Sequence, residues 1–416
     1  MNILAPLPPK TRQELEKIPA LIDKTFPLPG RFRSGLAKDV AELSRLLTFS
    51  RAERSLSYLS QPPLVSAYLR FFLPWNIFRL CRLLPGLDIS LNAHDCITDL
   101  GCGPLTFTAA LWICRPDLRA LPLEFQCIDR SGPILDAGKK FFAALAGNTC
   151  TWKIHTTKSE LNTVKLKNHS ELNSVKLKPA ALLCAINVFN EMYGDISRSD
   201  SHTLRQNAEK SMHLLEHYAL KDSAILVAEP GFPRCGEFIS LLRDIFASQG
   251  RPALSPCTHE GKCPFPGGIS GKGKKRWCHF AFDTDDTPPV LLRLSAAAGI
   301  PKERAVLSYL LIGSGNNSEK SSRKGVSNLR FAAQREAGAK QAARSPSRLC
   351  ASARIISDAF PLPQNRWGRY GCSSQGLVLL SGEKNIIEKT ASGSMVNVSI
   401  NINEKDAKSG AFIVRN

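Results

Sequence analysis

The feature that most constrains the fold is a regular alternation of strand-like and helix-like segments across residues 93–315. It begins with CITDLGCGP, LTFTAALWICR, LEFQCIDRS and ILDAGKKFFAALA, and continues through ALLCAINVFNEMY, RQNAEKSMHLLEHYAL and SAILVAEPG. Strands that alternate with helices predict a parallel sheet connected by right-handed crossovers. WCHFAFD and AVLSYLLIG come later and are predicted to be antiparallel final strands of the same sheet.

The sequences on either side of this region differ from it. Residues 1–92 carry apolar residues at spacings of three and four, which predicts a helical cap or substrate-facing region with a break at Pro74. No motif in that region carries chemistry. Residues 350–416 contain SARIIS, GLVLLSG and MVNVSINI, which predict a small β domain.

Two further segments interrupt the pattern. Residues 156–179 contain SELNTVKLK followed by SELNSVKLK, a tandem duplication that we place in a surface loop. Residues 316–349 are rich in Ser, Gly, Ala and basic residues, which is typical of a linker or of an arm that orders on a polyanion. The expected fold class is therefore α/β, with a Rossmann-like sheet, an N-terminal helical region and a small C-terminal β domain.

The composition narrows the partners and the compartment. The net charge of +19 favours an acidic partner, of which nucleic acid is the commonest. No uninterrupted apolar run approaches the ~18 residues of a membrane span, and the N-terminus lacks the pattern of a secretory signal or a mitochondrial presequence. We predict a cytoplasmic protein with reduced thiols and no membrane association. Cysteines within apolar runs are predicted to be buried: Cys81, Cys114, Cys127 and Cys184.

The first strand leads into a glycine turn, DLGCGPLT at residues 99–106, and the turn opens a helix. Glycines permit a tight turn and a close approach of the backbone to a ligand. Asp129 ends the next strand, where a carboxylate suits a ribose diol. The order of strand, turn, helix and acid indicates a nucleotide-type cofactor site.

The form D-L-G-x-G-P resembles the first motif of class I S-adenosylmethionine-dependent methyltransferases. By that resemblance Gly101 and Gly103 contact the cofactor, Asp99 orients the loop and Asp129 holds the ribose. The chain departs from the pattern at Leu105, where many such enzymes carry a third glycine.

The segment expected to activate a methyl acceptor reads AINVFNEMY, which does not match the N-P-P-Y-like tetrad of one kind of amino-methylating enzyme. Cys184, within the strand, is a candidate for the core and not for a nucleophile. Asn187, Asn190 and Glu191 are predicted to face the pocket, and Asn190 and Glu191 are the candidate catalytic residues. Whether the chain is an active enzyme stays open.

A second distinctive segment is CTHEGKCPFPGGISGKGKKRWCHF, residues 257–280. It holds three cysteines in a polar loop with little apolar material, which favours a thiolate-bound metal. Irregular spacing without paired C-x2-C knuckles fits an iron–sulfur cluster better than zinc, which stays the alternative. The cysteines are Cys257, Cys263 and Cys278, and the candidates for a fourth ligand are Cys372, in an expected glycine turn, Cys350, His259 and His279.

Together these segments resemble the Rsm22 family, methyltransferase-like proteins of the mitochondrial small ribosomal subunit. The matching elements are DLGCGPLTFTAALW, INVFNEMY, ILVAEPGFPRCGEFI, CTHEGKCPFP with RWCHF, LSYLL and RWGRYGCSSQGLVLL, which cover most of residues 95–385. The resemblance implies binding to small-subunit ribosomal RNA and a role in ribosome assembly or translation. It also implies a four-iron, four-sulfur cluster on Cys257, Cys263, Cys278 and Cys372.

The leading hypothesis is a ribosomal RNA-binding protein with a methyltransferase fold, a structural cluster and no partner subunit away from the ribosome. The cluster would present basic residues of the cysteine loop to phosphates: Lys272, Lys274, Lys275 and Arg276. An active methyltransferase for ribosomal RNA that uses S-adenosylmethionine is the alternative. A small-molecule methyltransferase is a third hypothesis, and it predicts no affinity for RNA.

Overall fold

The computed structural model describes residues 2–4, 6–48, 61–161, 177–193, 199–220, 222–265, 276–314 and 348–415. Most of the tandem duplication, nearly all of the basic segment 316–349, and Lys272, Lys274 and Lys275 lie outside these ranges. The predictions made for them remain predictions.

The N-terminal region is helical, as predicted. Its longer helices bury apolar residues along one side, and the break expected at Pro74 takes the form of a π-helical turn at Tyr68–Phe72 immediately before α5. Pro74 has no N–H to donate to the preceding turn, and a π turn adjusts the helix locally at such a position. The helices are α1 (Pro9–Thr25), α2 (Gly30–Arg33), α3 (Leu36–Thr48), α4 (Pro62–Ala67) and α5 (Leu73–Leu83), followed by a 3-10 turn at Leu84–Gly86.

A mixed sheet forms the centre of the chain, and its strands come from the predicted apolar segments. They are β1 (Cys96–Leu100), β2 (Glu124–Asp129), β3 (Lys153–Lys158), β4 (Leu182–Ile186), β5 (Ala224–Pro230), β6 (Ala253–Ser255), β7 (Phe280–Asp283) and β8 (Arg304–Ile312). Their order is β3-β2-β1-β4-β5-β8-β6, with β7 also paired to β8. The first five are parallel, and β8 is antiparallel to β5, to β6 and to β7.

Helices cover both faces of this sheet. On one face α6 is buried along its whole length and packs against α5 and α7, so its largely apolar sequence fits an interior helix. On the other face α9 and α10 pack together around a second core. The helices of this region are α6 (Thr106–Cys114), α7 (Gly132–Ala146), α8 (Phe189–Met192), α9 (Ser201–Tyr218), α10 (Pro233–Ser248) and α11 (Pro289–Ala297), with a 3-10 turn at Pro116–Leu118.

The C-terminal region forms a second sheet, as predicted. Its strands are β9 (Arg348–Ile355), β10 (Phe360–Leu362), β11 (Arg366–Ser373), β12 (Gly376–Gly382), β13 (Met395–Asn401) and β14 (Phe412–Arg415), and its helix is α12 (Lys384–Lys389). They follow the order β13-β9-β11-β12-β14, with β10 beside β11. The expected glycine turn around Cys372 is wrong, because Gly371 and Cys372 lie within β11. One apolar core joins the helical region, a face of the central sheet and part of the second sheet, so the regions pack as one body.

Candidate functional site

The glycine turn lies at the carboxyl end of β1, where the strand order reverses between β1 and β4. In open α/β sheets ligands bind at this switch point. Gly101 and Gly103 have φ angles of +63° and +54°, in a region that residues other than glycine rarely adopt. A Cβ at Gly101 would come within 2.7 Å of Val188 Cγ2. Both backbone conformation and lack of space therefore favour glycine at position 101, and backbone conformation favours it at position 103.

Leu105, where the family pattern has a third glycine, keeps a glycine-like backbone. Its φ is 59° and its side chain is fully buried. The neighbouring helix makes room with Gly138, where a Cβ would lie 2.6 Å from Pro104 C and 2.9 Å from Leu105 Cγ. The departure at Leu105 thus changes the packing behind the turn and leaves its conformation in place.

Asp129 at the end of β2 stabilises the glycine turn by hydrogen bonds to backbone N–H groups. Its Oδ2 accepts a hydrogen bond from Gly103 N at 3.0 Å, and its Oδ1 accepts one from Ser131 N at 2.8 Å. Burial raises the pKa of Asp129, while these backbone donors oppose the rise. Each carboxylate oxygen keeps a lone pair for a ligand hydroxyl.

Asp99 is the most deeply buried acid of the site, with 1% of its surface exposed. Its Oδ1 is 3.4 Å from Cys184 Sγ, and its Oδ2 has no hydrogen-bond partner among the described residues. Burial raises the pKa of Asp99 to about 8. A buried carboxyl oxygen without a partner is costly unless a ligand completes it.

A cavity of about 450 Å³ opens over the turn. Its wall contains all four residues that the sequence assigned to the cofactor, which the fold brings together. The wall also includes Tyr68, Asn76, Cys102, Thr106, Phe107, Arg130, Ser131, Gly132, Pro133, Lys158, Ser159, Glu160, Leu161, Ile186, Asn187, Val188, Glu191 and Met192. The volume is in the range of small-molecule and cofactor sites.

The two candidate catalytic residues differ in position. Glu191 lines the cavity together with Asn187. Asn190 is 4% exposed, and its Nδ2 donates to Glu229 Oε2 at 2.7 Å. Glu229 also accepts hydrogen bonds from the backbone N–H groups of Phe189 and Asn190, and burial raises its pKa to about 7. Asn190 therefore fixes α8 to β5 and does not line the cavity. Sequence reasoning missed Glu229, although an acid at a strand end in VAEPG was a signal.

Two cavity residues come from the N-terminal helical region, Tyr68 on the π turn and Asn76 on α5. Arg79 Nη1 donates to Asn76 Oδ1 at 3.2 Å. Burial raises the pKa of Tyr68, as do the charges of Glu191 and Asp129. The prediction that residues 1–92 carry no chemistry overlooked these side chains, for which the sequence gives no motif.

The four predicted metal ligands form a second group, the cysteine group, between the two sheets. Cys257 follows β6, Cys263 lies in the loop, Cys278 precedes β7 and Cys372 lies on β11. Burial raises the pKa of Cys278, and so do the charges of the other three thiols, so the four are neighbours. Cys350, the rival, is exposed on β9.

Charged and polar groups surround the cysteine group. Arg243 on α10 is buried, and its guanidinium donates to Asp244 Oδ1 at 2.7 Å and to His259 O at 2.8 Å. His259 Nε2 lies 3.6 Å from Cys372 Sγ. His279 Nδ1 is instead 3.0 Å from Trp277 O. Of the two candidate histidines, the fold brings His259 to the thiols.

Four cysteine thiols are donors of the kind that bind zinc and iron–sulfur clusters. Within the described ranges, no three or more His, Cys, Asp or Glu side chains are grouped so that they could hold a metal ion. Neither iron–sulfur nor zinc ligation is confirmed, and both stay predictions.

Arg276 is the one predicted RNA-binding residue within the described ranges. Its guanidinium lies 4.8 Å from the centre of the Tyr370 ring on β11. Arg276 is therefore held against the second sheet.

The strand order and the glycine turn define the class of this protein, a Rossmann-like fold of the class I methyltransferase type. The family follows from the sequence. A family model described as mitochondrial small ribosomal subunit Rsm22 matches residues 118–353, more than half of the chain, so the chain belongs to the Rsm22 family.

Comparison with solved structures returns proteins of low sequence identity. YjhP from E. coli is 11% identical, with a TM-score of 0.33 and coverage of 65% of this chain and 99% of that chain. Magnesium protoporphyrin IX methyltransferase from Synechocystis PCC 6803 with bound SAH is 9% identical, with a TM-score of 0.33 and coverage of 66% and 99%. No curated protein matches the chain. Among the described residues no helix is long and apolar enough to cross a membrane.

Proposed function

We propose that the chain binds ribosomal RNA of the small ribosomal subunit and acts in its assembly or in translation. The observation that carries this proposal is membership of the Rsm22 family over residues 118–353. The net charge of +19 agrees with it, because phosphate contacts by Lys and Arg dominate affinity for nucleic acids. The family description names a mitochondrial subunit, which favours mitochondria over the cytoplasm predicted from the N-terminus.

The cavity is proposed to bind S-adenosylmethionine. The glycine turn supplies a close backbone approach, and Asp129 supplies acceptors for the ribose. The unpartnered oxygen of Asp99 would accept from a donor of the ligand. Gly101 and Gly103 also line the cavity and would contact the cofactor through their backbone atoms.

Methyl transfer to ribosomal RNA is a second candidate function, favoured by one observation. Glu191 lines the cavity, where a carboxylate could act as a general base. Asn190 is engaged with Glu229 and offers no second catalytic group. Binding of cofactor without catalysis therefore remains the leading form of the proposal.

The cysteine group is proposed to hold a four-iron, four-sulfur cluster with a structural role. Four thiols from three loop positions and one strand of the second sheet would be fixed together by it, and Thr258 Oγ1 already donates to Cys372 O at 3.5 Å. Bound metal would present Arg276 and the neighbouring basic residues to phosphates. Metal analysis and absorbance near 400 nm after anaerobic purification test this, and stoichiometric zinc in a colourless protein would contradict it.

Two measurements separate the functions. Crosslinking in cells, followed by sequencing of the bound RNA, should recover small-subunit ribosomal RNA. Calorimetry of the intact chain should detect S-adenosylmethionine binding, and transfer of a labelled methyl group to subunits from a deletion strain would indicate catalysis. Affinity for a small molecule without salt-dependent RNA affinity would instead support a small-molecule methyltransferase.

A further inference from the structure

A short projection, residues 29–34, lies on the surface between α1 and α3. All six of its residues are exposed, and α2 within it buries none of its side chains. Nothing lies within 4 Å of a Cβ built at Gly30, so the space beside the projection is open. The projection therefore gains nothing from the core, and local contacts must give it its shape.

Those local contacts come from the backbone and from proline. Phe32 N donates to Pro29 O at 2.9 Å, and Arg33 Nε donates to Leu28 O at 3.2 Å. Pro27 and Pro29 restrict the backbone that leads into α2. The projection is thus ordered before any partner arrives, which lowers the entropy lost on binding.

The charge around the projection is of one sign. Residues 24–38 contain no Asp or Glu and four basic residues, Lys24, Arg31, Arg33 and Lys38. Asp23, just outside this range, is paired with Arg70 Nε at 3.1 Å. Within the described ranges neither Arg31 nor Arg33 forms an ion pair. Such a surface favours a polyanion, because phosphates displace counterions from it.

Phe32 lies in the middle of this basic surface. Its side chain is 50% exposed, and it is the one aromatic residue among the exposed large apolar residues of the described ranges. The Arg31 guanidinium carbon lies 4.8 Å from the centre of its ring. A single exposed ring buries too little area for a stable protein interface or a membrane anchor, but it is sufficient to stack on one nucleic-acid base.

We propose that the 29–34 projection binds single-stranded RNA, with Phe32 stacking on an unpaired base and Arg31 and Arg33 contacting the neighbouring phosphates. The base must be unpaired, because bases within a duplex already stack on one another. This inference rests on the proposed function and deepens it: it names the kind of RNA and gives it a contact surface other than the cysteine loop.

Fluorescence anisotropy with the intact chain tests this on two labelled probes, an oligouridylate, which stays single-stranded, and a blunt-ended RNA duplex. Phe32→Ala should weaken binding of the oligouridylate about tenfold and leave the duplex within about twofold, because stacking on one base is lost. Phe32→Leu, apolar but without a ring, should behave in the same way, whereas Phe32→Tyr should bind like the wild type. Ile402→Ala, at another exposed apolar side chain, is the control and should change neither affinity.

Salt dependence separates the ring from the charges. Phe32→Ala should lower affinity for the oligouridylate by the same factor at every salt concentration, whereas Arg33→Ala should reduce the salt slope by about one. None of these changes should move the unfolding midpoint, since α2 buries no side chain.

Two results would overturn the inference and leave the proposed function standing, because RNA would then bind elsewhere on the chain. One is wild-type affinity of Phe32→Ala or Phe32→Leu for the oligouridylate, and the other is an equal loss on both probes. A wild-type chain that binds neither probe would also overturn the inference. Crosslinking in cells then decides the proposed function separately, since it does not depend on these probes.

Discussion

The cavity over the glycine turn and the cysteine group are built in different ways. The turn at the cavity is made by backbone conformation within eight consecutive residues, 99–106, and neighbouring side chains fit around it. The cysteine group is made by side chains that come together from distant segments, as the contact between His259 and Cys372, 113 residues apart, shows. A site of the first kind depends on the few residues whose backbone forms the turn and on the space around them, whereas one of the second kind depends on each thiol.

The largest effect is expected for Cys372→Ser. If a metal joins the cysteine group, the loss of one ligand should release it and reduce the free energy of unfolding by more than about 3 kcal/mol, because bound metal contributes folding free energy directly. Metal content and chemical denaturation measure this. Cys350→Ser, at an exposed thiol on β9, is the matched control and should be neutral. Equal behaviour of the two variants would contradict a shared metal.

Gly138→Ala should disturb the glycine turn, because Gly138 on α7 packs against Pro104 and Leu105. A helical Gly→Ala change normally stabilises, but here the new methyl group would lie 2.6 Å from the backbone carbon of Pro104. We expect a net loss of about 1–3 kcal/mol and weaker cofactor binding, since the turn must move. Denaturation and calorimetry check this against Gly30→Ala, where nothing lies within 4 Å of the new Cβ. A stabilised Gly138→Ala protein would show that the turn adapts easily.

The Asp99 carboxyl should make stability depend on pH. Burial raises its pKa from 3.8 to about 8, so the folded protein binds this proton more tightly than the unfolded chain does. The contribution of Asp99 to the free energy of unfolding is therefore fully present below about pH 4 and is lost as the pH rises towards 8. The loss is at most about 1.4 kcal/mol per pH unit. Urea denaturation from pH 5 to 8 should show a flatter slope for Asp99→Asn. The pKa of Glu229 is also raised, to about 7, in the wild type and in Asp99→Asn alike. Stability of the Asp99→Asn protein should therefore still fall somewhat as the pH rises. Parallel slopes would mean that Asp99 is ionised when folded.

The smallest effect is expected for Arg276→Ala on the cysteine-loop side. Loss of one phosphate contact should weaken RNA binding modestly and reduce the salt slope by about one. Filter binding at several salt concentrations measures this, with Arg293→Ala on the exposed side of α11 as the control. A matching change in both variants would place the RNA surface elsewhere.

Much of the fold and half of the candidate site could be read from local patterns. The apolar strands, the glycine turn and Asp129 follow from neighbours in the chain, and the structure confirms their arrangement. Asn190 was predicted to face the pocket because a helix as short as α8 is too short for its sequence pattern to show which face is buried. The side chain of Asn190 is instead buried away from the cavity. Cys372 was predicted to lie in a turn because Gly371 and Gly376 are close to it in the sequence. Pairing of β11 with β9 and β12 instead keeps Gly371 and Cys372 in an extended strand.

The sequence by itself determined the parallel sheet and the turn, because these depend on alternation and on glycine conformations that a few adjacent residues set. It also determined the family. Only the tertiary structure decided that Tyr68 and Asn76 reach the cavity, that Gly138 makes room for Leu105, and that Glu229 holds Asn190. These contacts join residues that are distant in the chain, and packing between elements, which no local pattern encodes, is what brings them together.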